Sequence, residues 1–126
     1  MEIKLHLNEV LNMNRTLKLI IEDTQTKAEP LLKFKLLGIT KIFEPFVSNF
    51  DVIRNEKIME YGTELESGGF EISKDDSDAV NKFNADIMDL INSEVTVQME
   101  PLKPEDVFDK GLKAEYLIEL YPVISV

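Results

Sequence analysis

Residues 29–61 read EPLLKFKLLGITKIFEPFVSNFDVIRNEKIMEY, and the spacing of their apolar side chains decides the fold. Leu32, Leu36, Ile39, Phe43, Phe46, Phe50 and Ile53 recur at alternating intervals of four and three. That interval pattern places one stripe of a helix against a neighbour along most of its length. Ile42 and Val47 widen the stripe, as a helix does when it packs on more than one element. A single long helix over Glu29–Tyr61 is the prediction, and it serves as the spine of the molecule. Pro45 interrupts it: proline lacks an amide hydrogen for the carbonyl four residues back, and its ring crowds that turn. A kink near Lys41–Glu44 is therefore expected, a break into two helices being the alternative. The unslipped apolar register favours the kink. Gly62 stands where a left-handed helix cap would sit.

Upstream, Ile3, Leu5 and Leu7 alternate with Glu2, Lys4 and His6, the period of a half-buried strand. Asn8 is positioned to cap a helix from about Glu9 to Asp23, whose inner face is Val10, Met13, Leu17, Ile20 and Ile21. Thr24–Lys27 is polar and reads as a short turn. Downstream of the spine, Ser67-Gly68-Gly69 is a turn signal, and Phe70 and Ile72 read as a brief edge strand. Ser73 or Ser77 is expected to cap a third helix with Val80, Phe83, Ile87, Leu90 and Ile91 inward. Its first turn is rich in aspartate, which the positive helix end favours. Val95, Val97 and Met99 alternate with polar residues and predict a strand that pairs with the first one. Pro104 opens a short helical turn through Phe108, and Leu112–Tyr121 reads as a last helix. It turns Leu117, Leu120 and Tyr116 inward and ends at Pro122. Val123–Val126 is an apolar tail able to dock as a strand. The prediction is one α+β domain over residues 1–126, mostly helical, with a long kinked central helix, shorter packed helices and a small two- to three-stranded antiparallel sheet.

Composition narrows function. The 126 residues include no cysteine, which excludes a disulfide framework, a thiolate metal site and a thiol nucleophile. No apolar run reaches the ~18 residues that suggest a membrane span, and Met1–Lys4 does not open a signal peptide. The net charge of −10 is lopsided: residues 1–57 carry +1 and residues 58–126 carry −11. An acidic half of this kind repels phosphates, so neither direct nucleic-acid binding nor a membrane partner is expected.

The order of features resembles a family of small, uncharacterised proteins encoded by tailed bacteriophages. The resemblance rests on the spine's end, Asn55-Glu56-Lys57-Ile58-Met59-Glu60-Tyr61-Gly62, then Lys82-Phe83-Asn84, Glu94-Val95-Thr96-Val97 and the block Ala114–Pro122. It spans nearly the whole chain. It implies a phage origin, in the host cytoplasm or the virion, and no enzymatic activity.

The residue inventory offers no catalytic arrangement. The single histidine, His6, falls on the polar phase of its strand and reads as a surface residue. Asp75-Asp76-Ser77-Asp78 fails as a calcium loop, because the sixth and twelfth positions are Val80 and Asp86 rather than glycine and glutamate. Gly68-Gly69 is not followed by the lysine of a phosphate loop. No catalytic residue, cofactor or metal site is expected. The candidate partner-binding residues are the carboxylates Asp75, Asp76, Asp78, Asp86, Asp89, Glu105, Asp106 and Asp109, with Asp78, Asp86 and Asp89 read on the outer face of the third helix. Two functions are weighed: a non-enzymatic phage protein that binds other proteins as a minor virion component or assembly factor, and an acidic inhibitor that imitates nucleic acid to occupy a host protein's basic groove. A spine longer than the domain is wide also predicts homodimerisation through that helix.

Overall fold

The computed structural model describes residues 1–23 and 28–125; the turn expected over Thr24–Lys27 lies outside them. Strand β1 (Glu2–His6) runs directly into helix α1 (Leu7–Glu22). The spine is helix α2 (Pro30–Tyr61), followed by β2 (Thr63–Glu64), β3 (Phe70–Glu71), α3 (Ser77–Ile91), β4 (Glu94–Gln98), α4 (Pro104–Val107) and α5 (Ala114–Leu120). A 3-10 turn, Tyr121–Val123, closes the chain. The fold is α+β and mostly helical, as its sequence predicts.

At 32 residues, α2 is about 48 Å long at 1.5 Å per residue. It is one helix through Pro45, not two. Pro30 occupies its first turn, where a missing amide hydrogen has no consequence. The inner stripe behaves as its spacing predicts only at first: Leu32, Leu36, Ile39 and Phe43 are buried, Phe46 and Phe50 are half-buried, and Ile53 is exposed. The buried residues meet Val10, Met13, Leu17 and Ile20 of α1, Leu5 and Val97 of the sheet, and Leu102, Val107, Leu120, Val123 and Ile124 of the C-terminal region in one core. The core thus grips the N-terminal half of α2. Its C-terminal half carries a lighter load, the face of α3 and the β2–β3 hairpin.

The expected pairing of the first strand with residues 94–100 is present: β1 and β4 are antiparallel from Glu2↔Gln98 to His6↔Glu94. Backbone bonds extend the ladder, Met99 N–H to the Met1 carbonyl and Leu7 N–H to the Ser93 carbonyl, both at 2.9 Å. A separate hairpin joins β2 to β3, with Gly68 supplying the positive φ of +93° at its turn. The C-terminal tail docks as expected, Leu102 and Ile124 forming a parallel bridge.

Four local expectations are corrected. The α1 cap is His6 rather than Asn8, and the helix begins two residues early: the His6 N–H donates to Glu9 Oε1 at 2.8 Å, in the reciprocal geometry of a capping box. Asp76, not Ser73 or Ser77, caps α3, accepting from the Ala79 N–H at 3.1 Å. Gly62 is extended, with φ −94°, not left-handed. Its lack of a side chain serves close packing, since a Cβ there would lie 2.8 Å from the Glu71 carbonyl oxygen and against that of Ile58. The last helix is shorter than expected and passes into the 3-10 turn, which contains Pro122.

Candidate interaction surface

The eight candidate carboxylates fall in two places. Asp75, Asp76, Asp78, Asp86 and Asp89 lie on or just before α3; Glu105, Asp106 and Asp109 lie on and after α4. Their contacts with α2 measure the separation. Asp86 Oδ2 is 3.5 Å from Lys57 Nζ, and Asp106 Oδ2 is 3.0 Å from Lys35 Nζ. Those lysines stand 22 positions apart in the sequence, roughly 33 Å along a helix axis.

Half of the eight are engaged within the fold. Asp76 caps α3, and Asp78 pairs with Lys82 at 3.2 Å. Asp86 does not sit on the free outer face of α3, as its spacing suggests, but at the contact with the end of α2. There it accepts from the Tyr61 hydroxyl at 2.6 Å. This hydrogen bond, helped by Lys57 beside it, holds the Asp86 carboxyl below the usual carboxylate range; the same hydrogen bond pushes the Tyr61 phenol up. The Lys35 hydrogen bond lowers Asp106 in the same way. Asp75, Asp89, Glu105 and Asp109 are exposed and have no ion pair among the described residues.

A different surface emerges on α2 itself. Opposite the buried stripe runs a second heptad series: Leu31, Phe34, Gly38, Lys41, Pro45, Ser48, Val52, Asn55 and Met59. All nine are exposed. Phe34 is 73% exposed and Leu31 64%, while Val52 and Met59 are each 55% exposed. Lys41 is the only charge among the nine, in a chain that is 30% charged. Every seventh residue from Leu31 to Met59 is nonpolar. In the sequence this series is a second seam displaced by two positions from the buried one, which at about 100° per residue puts it on the opposite face of the helix.

Gly38 leaves a gap in the strip. Nothing lies within 4 Å of a Cβ built there, so packing within the chain does not require glycine. Beside it, a cavity of about 370 Å³ opens between α2 and the β4–α4 link. Its walls are Ile39, Ile42, Met99 and Leu102, with the Lys35–Asp106 pair at the edge. Pro45, further along the strip, offers no amide hydrogen to the Lys41 carbonyl. The strip therefore combines apolar knobs, one hole and a carbonyl without its helical donor.

Among the described residues, no group of three or more histidine or acidic side chains is placed to hold a metal ion. No described helix is long and apolar enough to cross a membrane. No family model, curated protein or solved structure matches the chain.

Proposed function

We propose that this chain is a non-enzymatic protein-binding protein that works through the outer face of α2. The observation that carries the reading is the exposed, nearly uncharged strip from Leu31 to Met59. Leu31 and Phe34 towards one end and Val52 and Met59 towards the other are large apolar side chains left in water, and in folded proteins exposed apolar patches mark contact surfaces. Aromatic and methionine side chains, here Phe34 and Met59, are those enriched where proteins meet. The resemblance to small tailed-phage proteins supplies the context: a minor virion component or an assembly factor, acting in the host cytoplasm or the virion.

The test is a pull-down of the tagged chain from phage-infected cells at low and high salt. Retention of a capsid or tail protein at high salt, lost with Phe34→Asp, is the expected result. The nucleic-acid-mimic alternative expects a host nuclease or repressor, released by salt and lost when Asp75, Asp89, Glu105 and Asp109 are neutralised. The division of the carboxylates into two groups, half of them engaged internally, gives that alternative less support.

A further inference from the structure

The strip is self-complementary in one orientation. We infer that the outer face of α2 pairs with the same face of a second copy of this chain, antiparallel and about a two-fold axis. This deepens the protein-binding reading above and rests on it by naming the partner of that face.

The argument begins with charge. In a parallel, in-register pair, Lys41 meets Lys41 of the second copy, and Asp51 lies beside its Glu56, since these are the facing positions of a heptad seam. Both contacts repel. Turning one helix around relieves both. With Phe34 level with Val52 of the second copy, Leu31 faces Asn55, Gly38 faces Ser48 and Lys41 faces Pro45. Lys41 then comes beside Glu44 of the second copy, twice by symmetry, so that each of the two Glu44 carboxylates flanking the axis is offset by a lysine. Lys41 and Glu44 are exposed, and neither has an ion-pair partner among the described residues.

Shape points the same way. Gly38 and Ser48, the two small residues of the strip, face one another on either side of the axis, which lets the backbones approach. Phe34 and Val52, large and exposed, close the contact at both ends. Glycine in the helix interior costs about 0.5–1 kcal/mol relative to alanine. No neighbour within the chain demands glycine there, whereas a close-packed second helix does.

Size sets the strength. In this register the paired stretch runs from Leu31 to Asn55, 24 positions or about 36 Å, and a band ~10 Å wide along it covers roughly 360 Å² per copy, or about 720 Å² for both. A stable interface needs at least ~1,000 Å², so the pair is weak, with a dissociation constant in the micromolar range or above.

Analytical ultracentrifugation of the full chain from about 1 to 500 μM tests this over the range typical of weak pairing. A reversible monomer–dimer equilibrium is expected, with Phe34→Asp and Val52→Asp each raising the dissociation constant at least ~10-fold, the scale of losing a large apolar anchor. Leu19→Asp, at an apolar site on α1 about as exposed as Val52, leaves it unchanged. Unaltered circular dichroism confirms that the variants fold. Orientation is read by disulfide cross-linking, because the chain has no cysteine of its own. Leu31→Cys mixed with Asn55→Cys cross-links when the pair is antiparallel; each alone cross-links when it is parallel.

A chain that stays monomeric throughout overturns the inference. So does a dimer indifferent to Phe34→Asp and Val52→Asp, or one that cross-links in parallel. A monomer that still captures a virion protein through Phe34 overturns self-pairing and leaves the protein-binding reading intact. Failure of both measurements removes the reading itself.

Discussion

At the scale of single residues, the most informative contact is that of Tyr61 with Asp86. It ties the last turn of α2 to α3 through a hydrogen bond of 2.6 Å, and Lys57 adds a second tie at 3.5 Å. Because the folded state holds the Asp86 carboxyl below its ordinary value of 3.8, the linkage has a definite sign. The ionised carboxylate stabilises the fold above that ordinary value, and the stabilisation is lost as pH falls through the lower, folded one. Asp106, lowered by Lys35, adds to the same trend. Asp86→Asn is therefore expected to lower the melting temperature at pH 7, with its deficit against the wild-type chain shrinking as pH drops below about 3.9. Thermal unfolding between pH 7 and pH 2.5 measures this; a deficit independent of pH would mean the charge contributes nothing. The sequence placed Asp86 on an outward face because its helix offset from Asp89 and Asp78 suggested it. Its true partner, Tyr61, is 25 residues away, and no local spacing encodes that meeting.

At the scale of elements, periodicity carried the reading far. The inner stripe of α2, the strand pair and the third helix were legible because apolar spacing reports directly which face is covered. Ends were less legible, since caps depend on where the neighbouring element stops. β1 runs into α1 without a linker, so the cap fell to His6; the glutamate three residues later was the available signal. Gly62 was misread for a related reason. Its requirement comes from the β3 backbone crossing the end of α2, a tertiary fact. The two glycines of this region therefore invite opposite substitutions. Gly38→Ala is expected to stabilise the dilute monomer by about 0.5–1 kcal/mol, by helix propensity alone. Gly62→Ala is expected to cost about 1–3 kcal/mol, the range for forced overpacking. Urea denaturation compares them, and the same sign for both would refute the assignment of open space at one and close packing at the other.

At the scale of the whole molecule, the structure has a firm end and a lighter end. The core is concentrated around the first half of α2, while α3 and the hairpin lean on the second half through half-buried residues. The lopsided charge of the chain was plain from composition, but its division into two carboxylate groups was not, because the lysines that anchor them, Lys35 and Lys57, belong to the near-neutral half. The outer strip was written in the sequence throughout; what it lacked was proof of exposure, which only the position of the buried stripe supplies. The small sheet carries a consequence in time rather than in space. Its two strands are separated by about three-quarters of the chain, Glu2 meeting Gln98, and the loop that must close before that ladder forms is among the longest available here. Helices α1 and α2, by contrast, are neighbours in sequence and meet early. In stopped-flow experiments, Leu36→Ala is expected to slow refolding, while Val97→Ala mainly speeds unfolding. The β1–β4 ladder is then expected to act as a latch, closing late as the chain folds.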